Sequence, residues 1–284
     1  MRRARKLRLV AERAASLAGV VVDRGGISEE EARAAIARGG VFLRGKRVRD
    51  PEAPVEKGDR IEVSLAIPDV PALGRERLLH LDDRVIAIDK PAGVSAQEDL
   101  AGGPALPQLC SALLEEIGQR ETQALLVHRL DKGTTGVCVL ARTRRAQSAL
   151  LEEFREHRAG KEYRALVAGT PAEDEGLIEA EVDRAPAATR FKVLERYQGA
   201  ALIAALPRTG RTHQIRAHLR SLNLPLLGDT RYGGPAFLTR ADGARHEFPR
   251  PMLHALSLEI LGLRLVAPLP ADFGAARAFL SRGR

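Results

Sequence analysis

Leu126-Val127 runs into the charged tetrad His128-Arg129-Leu130-Asp131. A Gly133-Thr134-Thr135-Gly136 stretch follows, and Val137-Cys138-Val139-Leu140 resumes the apolar run. Apolar segment, Gly/Thr turn and second apolar segment predict strand, tight turn, strand. Strand-end loops on a rigid scaffold are where reacting side chains are held, and His128, Arg129 and Asp131 crowd this one. Helical spacing covers about 105–119, 144–158 and 212–222. Strand patterns cover 162–168, 177–182, 190–197 and 200–206, and Leu78 to Asp89 reads as two short strands before a Pro91-Ala92-Gly93 turn. Strands outnumber helices and several follow one another directly. This predicts an α+β domain with a largely antiparallel mixed sheet flanked by helices, not a doubly wound parallel one.

The first 67 residues pattern separately. Arg8 to Ala18 has the apolar spacing of a helix. Ser28-Glu29-Glu30-Glu31 is a capping box, and the helix Ala32 to Ala37 stops at Gly39-Gly40. Val41-Phe42-Leu43, Arg44-Gly45-Lys46 and Arg47-Val48 predict a hairpin. Lys57-Gly58-Asp59 turns into an alternating strand over Arg60 to Leu65. Residues 68–75 have the Pro/Gly content of a linker, and 76–284 form the larger unit.

Composition narrows the classes. No apolar run approaches the roughly 20 residues of a membrane span. Arg2, Arg3, Arg5, Lys6 and Arg8 are not followed by an apolar signal core, so a cytoplasmic protein is expected. Cys110 and Cys138 form no paired motif, which argues against thiolate metal sites and a disulfide framework. The net charge of +8 suggests a polyanionic partner, most simply nucleic acid, although 37 acidic residues accompany 45 basic ones. Residues 1–75 are the more basic part for their size, with 16 Lys/Arg against 11 Asp/Glu.

Five blocks carry candidate chemistry: Asp89-Lys90-Pro91-Ala92-Gly93; the His128–Gly136 segment; Lys161-Glu162-Tyr163-Arg164-Ala165; Thr209 to Leu219, continuing to Asp229 and Tyr232-Gly233; and Met252-Leu253-His254-Ala255. Singly, each has a plain structural reading. Asp131 is a turn-capping carboxylate by that reading, and Tyr163 a half-buried sheet aromatic. His213 and His218, five apart, fall on different helix faces, which argues against a shared metal. Gly210-Arg211-Thr212 at a helix start could hold a phosphate, but no Walker loop or dinucleotide fingerprint accompanies it.

In this order the blocks closely resemble the RluA family of RNA pseudouridine synthases over about 76–273. The first 67 residues, with Arg44, Lys46, Arg47 and Arg49 bunched on a hairpin, resemble the S4 RNA-binding domain. The resemblance implies that Asp131 is the catalytic aspartate and that Arg129 helps open the RNA stack. It implies that Tyr163 packs on the target base, that Arg216 pairs with the catalytic carboxylate, and that Leu253 walls the pocket. Leu130 is expected in the same pocket, and Arg211, with Arg44, Lys46 and Arg47, on the RNA. The chain departs from the family pattern in two places. Thr135 stands where Ser is usual, and the stretch between Gly176 and Thr189 is short. The implied reaction breaks the C1′–N1 bond of a flipped-out uridine, turns the base and rejoins it through C5. It needs neither redox chemistry nor hydrolysis, so no metal and no organic cofactor is expected. The expected partner is RNA, ribosomal RNA first with transfer RNA as the alternative, with no membrane and a monomeric protein. Two competitors remain at this point. One is a non-catalytic RNA-binding assembly factor. The other is a phosphate-handling hydrolase built on Asp131 and His128, which would need a metal cluster that the sequence lacks.

Overall fold

The computed structural model describes residues 6–65, 72–97 and 104–282. The chain falls into two compact units. One is drawn from residues up to Ala72 together with Gln97–Leu109, the other from Leu73–Ala96 and from Cys110 onwards. Half of the expected linker, residues 68–71, lies outside the described residues, as do Arg2, Arg3 and Arg5.

The first unit contains β1 (Lys6–Val10), β2 (Ala15–Ser16), α1 (Leu17–Gly25), α2 (Glu29–Ala37), β3 (Val41–Leu43), β4 (Lys46–Val48), β5 (Pro54–Val55) and β6 (Arg60–Ser64). Its sheet has the order β1-β6-β3-β4, antiparallel throughout. The helix expected over Arg8–Ala18 is not there. Lys6–Val10 is a strand paired with β6, and the first helix starts only at Leu17, capped by the Ser16 side chain. Leu7 and Leu9 alternate with exposed neighbours and pack on the core of Val41, Ile61 and Val63. That period of two serves the β6 edge and overrides the weaker helical spacing. The capping box of α2 forms as expected. Arg44 and Gly45, both in the left-handed region, make the two-residue hairpin turn.

The second unit is built on β7 (Leu78–Leu81), β8 (Val85–Lys90), β9 (Leu125–Leu126), β10 (Thr135–Ala141), β11 (Gly160–Ala168), β12 (Glu175–Val182), β13 (Ala185–Tyr197), β14 (Ala200–Pro207), β17 (Leu253–Ile260) and β18 (Leu263–Val266). Between β14 and β17 lies a small hairpin, β15 (Phe237–Thr239) and β16 (Arg245–Glu247). Helices are α3 (Leu106–Glu116), of which the residues from Cys110 on fall in this unit, α4 (Arg144–Arg155), α5 (Gln214–Ser221) and α6 (Ala271–Ser281). The ten-stranded sheet runs β12-β13-β14-β11-β17-β10-β8-β7, with β18 on β17 and β9 on β10. Only the β10–β17 pair is parallel, so the sheet is mixed and mostly antiparallel, as the patterning predicts. β10 is buried at all seven positions, the mark of a central strand covered on both faces. Alternate residues of β11 and β14 divide the core. Ala165, Val167, Ala201 and Ile203 pack with Ile215 and Leu219 of α5, while Leu166, Ala200 and Leu202 pack with Phe273, Ala276 and Leu280 of α6.

Two expectations change in detail. β9 and β10 do pair, through Leu126 and Leu140, but the connection is the eight-residue loop 127–134, not a tight turn. The short stretch after Gly176 is a complete hairpin, closed between Val182 and Ala185 by Asp183 and Arg184, both in the left-handed region.

Candidate active site

Asp131 sits in the 127–134 loop, which is tied down along its length. At its start, Val139 N–H donates to His128 Nε2 at 2.9 Å, and the ring stacks on Phe154 at 4.7 Å. A nitrogen that accepts carries no hydrogen, so His128 is neutral with its proton on Nδ1. Burial pushes its pKa down to about 3, and Lys161 pushes it the same way. In the middle, the Lys132 carbonyl accepts from Gly93 N–H at 2.8 Å, and Thr134 N–H donates to the Asp131 carbonyl at 3.0 Å. Lys90 lies beneath, fully buried. Its ammonium donates to the carbonyls of Pro91 and Val94 at 3.0 and 2.9 Å, and burial lowers its pKa to about 8. At the end, Arg250 Nη1 donates to the Gly133 carbonyl at 3.2 Å.

Gly136 explains the glycine that follows the loop. Its φ is +111°, and a Cβ there would lie 2.1 Å from the Ala255 carbonyl oxygen, where β17 runs against β10. Any side chain would force the two strands apart. Next to it, Thr135 Oγ1 lies 2.9 Å from His254 Nδ1. This is a task for any hydroxyl, which fits Thr in place of Ser.

The Asp131 carboxylate meets a fixed counter-charge. Arg216 Nη1 donates to Asp131 Oδ2 at 3.1 Å. The same guanidinium donates through Nε and Nη2 to Asp229 Oδ2 and Oδ1 at 2.6 and 2.8 Å. Arg216 and Asp229 are buried, with side chains 9% and 1% exposed, while that of Asp131 is 18% exposed. Burial opposes the arginine's charge, but the bonds to Asp229 and Asp131 outweigh it and hold its pKa above the ordinary value. The Tyr232 ring lies 4.9 Å from the guanidinium carbon. His213 stands in the left-handed region at the start of α5, with Nε2 3.8 Å from Asp131 Oδ2 and Nδ1 3.2 Å from the Tyr232 hydroxyl.

Asp131, Arg216 and His213 line a cleft of about 570 Å³ that also takes in Tyr163, Leu130, Leu253, Arg129 and Arg211. Leu130 and Leu253 are buried walls, whereas Arg129 and Arg211 are exposed. Burial raises the Tyr163 pKa, and the nearby Cys138 and Asp131 push it the same way, so the ring is a neutral phenol in the working pH range. Lys161 donates to the Thr209 carbonyl at 2.9 Å, and burial lowers its pKa to about 8. Among the described residues, no cluster of His, Cys, Asp and Glu has the geometry of a metal site.

The structure therefore gathers Asp131, Tyr163, Arg216, Arg129, Arg211, Leu130 and Leu253 around one cleft. Arg44, Lys46 and Arg47 belong to the first unit, and they are not equivalent. Arg44 is locked bidentate on Asp59 at 2.6 Å, and Arg47 lies over the Phe42 ring and donates to the Gly39 carbonyl. Lys46 is exposed. Asp229, Tyr232 and His213 complete the site; the sequence places all three in its fourth block but gives none of them a role beside Asp131. Their signal was the Gly228-Asp229 and Tyr232-Gly233 pairs, which carry no chemistry until the fold sets them against Arg216.

The sequence profile described as RNA pseudouridylate synthase matches residues 84–221. An uncharacterized RNA pseudouridine synthase of Mycobacterium bovis is 33% identical over 90% of this chain and 92% of its own. A ribosomal large subunit pseudouridine synthase D of Xanthomonas campestris is 32% identical over 84% of this chain and 80% of its own. Among solved structures, human RNA pseudouridylate synthase domain containing 4 superposes with a TM-score of 0.61 at 25% identity. The match covers 72% of this chain and 93% of the human one. No helix of the described residues is long and apolar enough to cross a membrane.

Proposed function

The chain belongs to the RNA pseudouridylate synthase family and is an RNA pseudouridine synthase, an isomerase; from that premise we propose that it acts on uridines of large-subunit ribosomal RNA, with Asp131 as the reacting carboxylate. The observation that carries the assignment is the Asp131–Arg216–Asp229 chain, which runs from the cleft to the buried Asp229. A carboxylate that attacks C1′ or takes a proton from C2′ must be ionised and correctly aimed. A buried guanidinium already fixed by a second carboxylate supplies both the charge and the aim, with no reorganisation during reaction. Tyr163 offers a planar face for the flipped uracil. Leu130 and Leu253 give the apolar walls that keep the detached base from water. Arg129, exposed beside Asp131, is placed to fill the gap that the base leaves in the RNA stack.

The names of the similar enzymes support ribosomal RNA as the substrate. We assign RNA binding to an S4-like domain at 1–67, a linker to 68–75 and catalysis to 76–284, in a monomer that needs no metal. The helix-hairpin order of the first unit and its exposed Lys46 support the S4-like assignment. The test is tritium release from unmodified ribosomal RNA labelled with [5-³H]uridine. Asp131→Asn abolishes release and binds the RNA with wild-type affinity. Turnover by that variant at the wild-type rate would remove Asp131 from the mechanism.

A further inference from the structure

Arg216 is not the only group set against Asp131. His213 approaches the same oxygen from a backbone conformation that residues with a Cβ adopt only at a cost, φ +56°. An outlier of this kind beside reacting atoms marks a position held by its surroundings for a purpose. The ring is clamped by Tyr232. The Tyr232 hydroxyl lies 3.2 Å from Nδ1, and the two rings meet edge to face at 5.7 Å. A carboxylate only accepts, so the hydrogen of a neutral His213 belongs on Nε2, facing Asp131, and Nδ1 accepts from the Tyr232 hydroxyl. Arg216 Nη1 thus donates to Oδ2, and His213 Nε2 faces the same oxygen from 3.8 Å, outside hydrogen-bond distance. Among the described residues, no hydrogen bond reaches Oδ1 of Asp131.

We propose that His213, oriented by Tyr232, is a positioning residue that fixes the rotation of the Asp131 carboxylate. Oδ2 is held and Oδ1 is turned to the substrate, and protonation of His213 sets the acid limit of the reaction. This rests on Asp131 being the reacting carboxylate. The charged and titratable groups facing His213 are Asp131 from the catalytic loop, Arg216 from α5, and Asp229, Arg231 and Tyr232 from the segment that follows α5. Burial lowers the His213 pKa, Arg216 and Arg231 act in the same direction, and Asp131 and Asp229 oppose them; the balance lies below the ordinary histidine value. The ring is therefore neutral at pH 7.5, where it faces Asp131 without adding charge. As pH falls through its folded pKa it becomes a second cation on Oδ2. The carboxylate is then held by two positive charges and is a weaker nucleophile or base.

Single-turnover tritium release from ribosomal RNA between pH 5 and 8.5 reads this directly. The wild type loses rate on the acid side, below pH 6.5. His213→Asn tolerates the left-handed backbone and carries no group that titrates between pH 5 and 8.5, so its remaining rate loses the acid decline. His213→Gly relieves the backbone but removes the ring, and turnover falls roughly tenfold with KM unchanged. Tyr232→Phe keeps the ring under Arg216 but frees Nδ1, and it displaces the acid limb. A wild-type acid limb in His213→Asn, or full turnover in His213→Gly, overturns the proposal. A second arm needs no substrate. The NMR titration midpoint of the His213 Cε1–H falls in Asp131→Asn, because the carboxylate that favours the imidazolium has gone. Equal midpoints would show that the two side chains do not interact. A wild type inactive on ribosomal RNA would instead sink the substrate reading and leave this arm to decide the contact.

Discussion

Arg216 serves two carboxylates of unequal exposure, and the buried one decides how firmly the other is held. Asp229 takes two of its donors at 2.6 and 2.8 Å and is almost wholly out of water, while Asp131 takes a third at 3.1 Å and faces the cleft. Replacing Asp229 by Asn leaves the bidentate partner uncharged in a buried place. The expected cost is about 3 kcal/mol of stability, by analogy with breaking buried ion pairs. Turnover should drop by about a hundredfold, because a misaimed guanidinium no longer sets the Asp131 rotamer. Urea unfolding and tritium release measure the two effects, and wild-type values in both would show that Asp229 is a bystander. Arg216→Met should be severely impaired. At this scale the sequence was legible where a motif names its residue, as with Asp131 and Tyr163. It was silent where the partner lies elsewhere, since nothing in the chain ties Asp229 to Arg216. His213 was set aside with His218 on helix-face spacing. The structure places His213 outside the helix, so that spacing never applied, and buries His218 against Thr189 and the Ala180 carbonyl.

The element that matters most is the 127–134 loop, and its rigidity comes from three distant segments. His128 substitutes for a strand neighbour at Val139, Gly93 and Lys90 hold the Lys132 carbonyl, and Arg250 reaches in from the segment before β17. Arg250 also accounts for the C-terminal helix. It donates to the Pro251 and Leu253 carbonyls and pairs bidentate with Asp272 in the first turn of α6, at 2.7 and 2.9 Å. Arg250→Leu should cost about 3 kcal/mol in urea unfolding, since Asp272 and three carbonyls lose their donor. Turnover should fall with it, because Gly133 is only two residues from Asp131. Unchanged unfolding together with unchanged turnover would rule out this strap. Helices α3, α4 and α5 and strands β11 to β14 were legible from periodicity because each buries one stripe or alternates. The strand at Lys6–Val10 was misread, since five residues support either period until β6 supplies a partner. β17, β18 and α6 went unremarked because only the Met252–Ala255 block drew attention there.

For the molecule as a whole, a net charge of +8 bears on RNA affinity, but the distribution of partners decides which cations contribute. A phosphate contact raises affinity by releasing counterions from the RNA, so each one adds to the slope of log K against log salt. Arg44 already holds Asp59 through two hydrogen bonds, and an RNA phosphate would have to displace that carboxylate. Lys46, at the opposite end of the same hairpin turn, is exposed and has no such competitor at its ammonium among the described residues. The two positions look alike in sequence, yet they should behave differently. Lys46→Ala should reduce the magnitude of the salt slope by about one, whereas Arg44→Ala should leave it close to that of the wild type. Fluorescence anisotropy on a labelled, unmodified ribosomal RNA transcript at several salt concentrations distinguishes them. Identical slopes for wild type and Lys46→Ala would mean that this hairpin does not touch RNA, and the assignment of RNA binding to the first 67 residues would lose its main support.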